Sequence, residues 1–225
     1  MRFILPREAL LKPLQQVVGV VERRQTLPVL SNLLVNVGAD GVSFTGTDLE
    51  VEMVARTAAE DLVDGEVTIP ARKLFDICRA LPDGAKVKVE QNGERVSVSA
   101  GRSRFTLATL PASEFPVVDN IDVVERVSLP EATLKDLIGR TAFAMAHQDV
   151  RYYLNGLLLD VRDESLRCVA TDGHRLALAE TKLESKITTR RQIIIPRKGV
   201  LELQGLFESG EGNVELELGK NHMRL

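Results

Sequence analysis

Asp172, His174 and Arg175 fall within four positions, in the stretch CVATDGHRLALAE, on a chain with three histidines. A carboxylate beside an imidazole could orient a general base, and the same pair could begin a metal site. Neither chemistry finds its other components in the sequence. His147 and His222 have no histidine partner at i+4 and no HExxH pattern. No GxSxG elbow supplies a nucleophile, and neither a P-loop nor a GxGxxG run is present. Two readings of the stretch therefore stand. Asp172 and His174 serve a hydrolase or transferase whose nucleophile lies elsewhere, or Asp172 is a turn residue that accepts backbone N–H bonds. No metal or cofactor is expected.

The elements that would position these residues are legible in the hydrophobic pattern. Leu10, Leu11, Leu14, Val17, Val18 and Val21 recur at helical spacing after Pro6, with Pro13 as a weak point, so a first helix is expected to run to about Val21. GVSFTGTD and EVEMVART alternate as strands, with ADG as a hairpin turn. A second helix is expected over 71–81, ended by Pro82 and Gly84. Val87 and Val89, then Val96 and Val98, flank QNGE as a hairpin, and LPASEFPVVDNIDVVE reads as a linker.

The order then begins again. LPEATLKDLIGRTAFAMA is a further amphipathic helix with a proline start, and LNGLLLDVRDESLRCVATDGHRLALAE mirrors LSNLLVNVGADGVSFTGTDLEVEMVAR. Leu30 matches Leu154, Thr47-Asp48 matches Thr171-Asp172, Ile69-Pro70 matches Ile195-Pro196 and Val87 matches Val214, at offsets of 124, 124, 126 and 127. A repeat of this length is domain-sized, well beyond solenoid periods. The second copy stops opposite Val98, so it is expected to lack its last strand or two and to carry an open edge. Thr-Asp recurs in both copies, whereas His174 and Arg175 belong to one, which favours the turn reading of Asp172.

The chain has 225 residues, 44% hydrophobic and 27% charged, but aromatics are 4% and tryptophan is absent. Cores must therefore be built from Leu, Val, Ile and Ala. Cys78 and Cys168 lack metal or disulfide spacing, no apolar run approaches the ~18 residues of a membrane span, and the N-terminus does not read as a signal peptide. A soluble cytoplasmic protein without a membrane partner is expected. The net charge of −3 weakly opposes nucleic-acid binding, although distribution decides more than the sum. The basic residues do cluster. Arg23 and Arg24 are expected to close the first helix, while Arg72, Lys73 and Arg79 lie on the second. In the other copy Arg190 and Arg191 precede a strand, and Arg197 and Lys198 open the equivalent helix. AHQDVRYYLNG adds Gln148, Arg151, Tyr152 and Tyr153 at the end of the third helix, a mixture that suits phosphate and sugar contacts. Solvated helix caps are the plainer account of the same residues.

TLPVLSNLL, FTGTDLEVEMVAR, TIPARKLFDICRALP, GRSRFTLATLPASEFP, MAHQDVRYYLNG, ATDGHRLA and IPRKGVLEL together resemble the bacterial sliding-clamp family, the beta subunit of the replicative DNA polymerase. The resemblance implies an α+β fold of repeated clamp domains, each with two helices on an inner face and antiparallel sheets outside. It places a first domain at 1–120 and an incomplete second at 128–225, with a third absent. It implies no catalysis: two chains close head to tail around double-stranded DNA and tether the polymerase, clamp loader and repair proteins through short linear motifs. Under the resemblance Arg24, Arg72, Arg79, His147, Gln148, Tyr152, Tyr153, Arg197 and Lys198 contact DNA. Leu154, Thr171, Gly173, His174, Arg175 and Leu176 form one wall of a partner-peptide pocket, the rest of which comes from later sequence. Lys73, Arg102, Arg104 and Phe105 form the ring interface. Without a third domain no homodimer ring is expected from this chain alone.

Overall fold

A computed structural model describes residues 1–21, 27–116, 122–207, 212–220 and 222–225. The chain divides into two compact units, 1–117 and 118–225. In the first, β1 (Arg2–Pro6) leads into α1 (Arg7–Val17), followed by β2 (Asn32–Gly38), β3 (Gly41–Thr47), β4 (Glu52–Thr57), β5 (Glu60–Val63) and β6 (Gly65–Pro70). Then come α2 (Ala71–Ala80), β7 (Lys86–Asn92), β8 (Arg95–Ala100) and β9 (Ser103–Ala108). The second unit repeats the plan with β10 (Glu125–Pro130), α3 (Glu131–Gly139), β11 (Gly156–Thr171), β12 (Leu176–Pro196), α4 (Arg197–Leu206), β13 (Asn213–Leu218) and β14 (Met223–Arg224).

Each of these helices starts directly after a proline that closes a strand: Pro6, Pro70, Pro130 and Pro196, with φ of −56°, −53°, −59° and −55°. Proline fits this junction. It has no N–H to continue the ladder, it holds its predecessor extended, and its φ already suits the helix that follows. The first helix ends at Val17, four residues before the expected Val21. Gly19 within a run of β-branched valines disfavours another turn. The expected ending at Arg23 and Arg24 lies outside the described residues.

The first unit stacks two antiparallel sheets, β5-β1-β7-β8-β9 and β4-β3-β2-β6, with α1 against α2. Phe3 and Leu5 of β1, Leu10 and Leu14 of α1, Phe44 of β3, Leu74 and Cys78 of α2, and Val96 and Val98 of β8 share one buried core. The hairpins expected around ADG and QNGE form as β2–β3 and β7–β8. The stretch read as a linker is partly anchored. Phe115 is buried against Val29 and Leu30, and the chain ahead of it is bound to β6 through Thr68. The Thr68 Oγ1 accepts from Asn32 Nδ2 at 2.9 Å and from the Leu110 N–H at 3.2 Å, and donates to the Leu110 carbonyl at 2.8 Å.

In the second unit β11 and β12 form one long hairpin, and β10, β13 and β14 form a three-stranded sheet. Val127, Leu134, Ile138, Leu157, Cys168, Val200 and Leu216 meet in its separate core. Arg190 and Arg191, expected ahead of a strand, lie inside β12. Arg190 reaches across the hairpin to the buried Asp160 in a two-pronged ion pair, Nε–Oδ1 2.8 Å and Nη2–Oδ2 2.9 Å. That partner 30 residues away explains an arginine within the strand, because it keeps the Asp160 carboxylate paired.

Candidate functional site

The turn between β11 and β12 is locked by its own side chains. Thr171 Oγ1 donates to the Arg175 carbonyl at 2.7 Å and accepts the Gly173 N–H at 3.1 Å. Asp172 Oδ1 accepts the N–H groups of His174 and Arg175, both at 3.0 Å, and Oδ2 accepts Arg175 Nε at 2.9 Å. Those backbone donors, first His174 and then Arg175, hold the Asp172 carboxyl below the usual carboxylate range. Asp172 is thus a turn residue whose oxygens face amides and a guanidinium; the hydrolase or transferase reading is not supported.

The first unit carries the same turn. Thr47 Oγ1 donates to the Val51 carbonyl at 3.0 Å and accepts the Leu49 N–H at 3.0 Å, and Asp48 Oδ1 accepts from Glu50 and Val51 at 3.0 and 2.8 Å. The third position has a left-handed backbone in both, φ +80° at Leu49 and +88° at Gly173.

A loop over 146–155 packs against the second turn. Asn155 closes it, accepting the Asp149 N–H at 2.9 Å and donating to the Asp149 carbonyl at 2.8 Å. Asp149 grips Arg151 through Nε and Nη2 at 3.0 and 2.9 Å. The Arg151 side chain, then its backbone N–H, depress the Asp149 carboxyl to about 2. The guanidinium lies over Gly173, where an added Cβ would meet Arg151 Nη2 at 3.2 Å. Leu154 is buried beneath this loop, its carbonyl accepting the Ala146 N–H at 3.0 Å. Leu176 (65% exposed) and Leu178, two residues on and so on the same face of β12, leave the turn in solvent. Phe143, also exposed, sits with its ring centroid 5.5 Å from Arg175 Cζ. Gly173, His174, Arg175 and Leu176 form the exposed rim, with Thr171 half-buried at its foot.

Among the described residues, the cations expected to contact DNA lie in two places. On α2, Arg72, Lys73 and Arg79 are exposed. Arg72 Nη2 donates to the Val21 carbonyl at 3.1 Å, while Arg79 lies 3.4 Å from Asp76 and stacks 5.7 Å from the Phe75 ring. In the second unit His147, Gln148, Tyr152 and Tyr153 occupy the 146–155 loop, beyond α3 rather than at its end, because α3 stops at Gly139. The Tyr152 and Tyr153 rings meet edge to face at 5.9 Å. Arg197 and Lys198 open α4, as the pattern predicts, and the Arg197 N–H bonds the Asn155 carbonyl at 2.9 Å, so loop and helix adjoin. Arg24 lies outside the described residues. Arg102, Arg104 and Phe105 are exposed on the β8–β9 turn and on β9, the last strand of its sheet. Sequence reasoning missed Phe143 and the Asp149–Asn155 lock. The Asp and Asn were legible as turn formers, but no periodicity marks an exposed phenylalanine as a neighbour of Arg175.

The profile of the DNA polymerase III beta subunit N-terminal domain matches residues 1–119, and that of its central domain matches 128–225. The chain belongs to the DNA polymerase III beta subunit family. It is 53% identical to the beta sliding clamp of Pseudomonas aeruginosa and 51% identical to that of Escherichia coli K12, over all 225 residues and 61% of each relative. The chain thus spans about three fifths of the length of these relatives. A P. aeruginosa clamp solved with griselimycin bound has a TM-score of 0.94 at 53% identity, covering 100% of this chain and 61% of that one. A Bartonella birtlesii clamp, also bound to griselimycin, has a TM-score of 0.92 at 38% identity with the same coverage. The fold is therefore the α+β sliding-clamp fold of repeated domains. Among the described residues no group of three or more His, Cys, Asp or Glu could hold a metal, and no helix is long and apolar enough to cross a membrane.

Proposed function

We propose that this chain works as part of a DNA sliding clamp in the bacterial cytoplasm, a binding scaffold that catalyses no reaction. The observation that carries this reading is the locked turn at 171–176, which presents Leu176 and Leu178 to solvent beside a fixed arginine. Apolar side chains flanked by oriented donors suit a short partner segment, the apolar groups supplying affinity and the polar ones orientation. In this reading the polymerase, clamp loader and repair proteins dock here by short motifs, and tethering raises their effective concentration on the template. Arg72 and Arg79 on α2, and His147, Gln148, Tyr152, Tyr153, Arg197 and Lys198 around α4, contact the phosphates and sugars of duplex DNA without reading sequence. Arg24 joins them by family resemblance. Lys73 with Arg102, Arg104 and Phe105 forms the contact through which copies of the whole protein close a homodimeric ring.

Griselimycin, which two relatives hold in their crystal structures, is the probe. By calorimetry the whole protein binds it, and Leu176→Asp weakens binding at least ~10-fold, because a carboxylate placed in an apolar contact loses its hydration. Failure of the whole protein to bind, or equal binding by the variant, overturns the docking-site reading.

A further inference from the structure

We propose that Phe143 is a positioning residue of the docking site: its ring face holds the Arg175 guanidinium in the orientation in which it meets a ligand. The inference rests on the docking reading above. Phe143 is 60% exposed, between the buried Ala142 and Ala144 on a short 3-10 turn, so the core does not account for its ring. That turn is fixed by the buried Thr141, whose Oγ1 donates to the Leu137 carbonyl at 2.7 Å. Arg175 is held at two points, Nε on Asp172 at 2.9 Å and the guanidinium carbon 5.5 Å from the Phe143 ring centroid. Its single side-chain hydrogen bond among the described residues uses Nε, which leaves both Nη groups for a ligand. One hydrogen bond still lets a guanidinium swing about it; a ring face on the other side removes that freedom in advance of binding.

The internal repeat supports the pairing independently. At the offset of 124, Phe143 corresponds to Gly19 and Arg175 to Val51. The first copy keeps the same locked turn with neither the cation nor the ring, so turn geometry requires neither. The two appear together, in the copy whose turn also has Gly173 under Arg151.

The test uses griselimycin calorimetry together with the NMR signal of the Arg175 Nε–H, which a neighbouring ring shifts. Phe143→Leu keeps apolar bulk and loses the ring; Phe143→Tyr keeps the ring. Both should melt like the parent, since the side chain lies outside the core. The expected result is that Phe143→Leu moves the Arg175 signal and weakens griselimycin ~2- to 5-fold, the range of a surface cation–π contact, while Phe143→Tyr does neither. Undiminished binding by Phe143→Leu overturns the proposal, as does equal weakening by Phe143→Tyr. Weaker binding with an unmoved Arg175 signal also overturns it, since Phe143 would then touch the ligand itself. The measurements use the whole protein, and if its parent form does not bind griselimycin, the docking reading fails first and this inference falls with it.

Discussion

Leu49 and Gly173 hold the same place in two copies of one turn, at φ +80° and +88°. A leucine there crowds its own backbone, while glycine adopts this region freely. Leu49→Gly should therefore stabilise the first unit by about 0.5–1 kcal/mol, the strain relieved less the extra unfolded-state freedom of glycine. Denaturant melts check this, and a loss of stability would show that the exposed Leu49 side chain has an attractive contact. The Asp149–Arg151 pair gives a pH effect of definite sign. The Asp149 carboxyl sits at about 2, against an ordinary 3.8. A depressed carboxylate contributes stability that is complete above its unfolded value and is lost as pH falls through its folded one. The 146–155 loop should keep its amide protection at pH 5 and loosen between pH 4 and 2. Asp149→Asn should reproduce the loosened loop at neutral pH, measured by hydrogen exchange.

At the scale of elements, the Thr68 hydroxyl joins β2, β6 and the chain after β9. Thr68→Val keeps the shape but strands the amide of the buried Asn32. A loss of about 1–3 kcal/mol is expected in chemical denaturation, the cost of a buried donor left without an acceptor. Thr68 also shows why some of the fold was hidden in the sequence. Strand alternation and hairpin turns are local, so ADG, QNGE and the repeated Thr-Asp were legible. Helix ends were less so: six valines and leucines at helical spacing argued for more helix than Gly19 and its β-branched neighbours allow. Arg190 was misplaced because its partner, Asp160, is brought close by the hairpin and not by spacing. The turn at 171–176 was legible as a turn through its twin, whereas Phe143 and Arg175, 32 positions apart in sequence, became neighbours only in the folded chain.

For the molecule as a whole, a net charge of −3 conceals local groups of cations, so overall charge describes no single surface. The repeat was the better guide, because it separated what the fold needs from what one copy alone has acquired. Each core also holds one free cysteine, at positions the repeat does not relate: Cys78 on α2 in the first and Cys168 on β11 in the second, both buried. Burial pushes each thiol up to about 12, so neither presents a thiolate at neutral pH. An alkylating reagent can then reach each sulfur only when its own unit opens. Pulsed alkylation followed by peptide mass spectrometry should show two separate labelling rates from one sample, one clock per unit. Two rates that stay equal across denaturant would mean that the units open as one. The chain thus carries a paired reporter of its own breathing, with no label introduced.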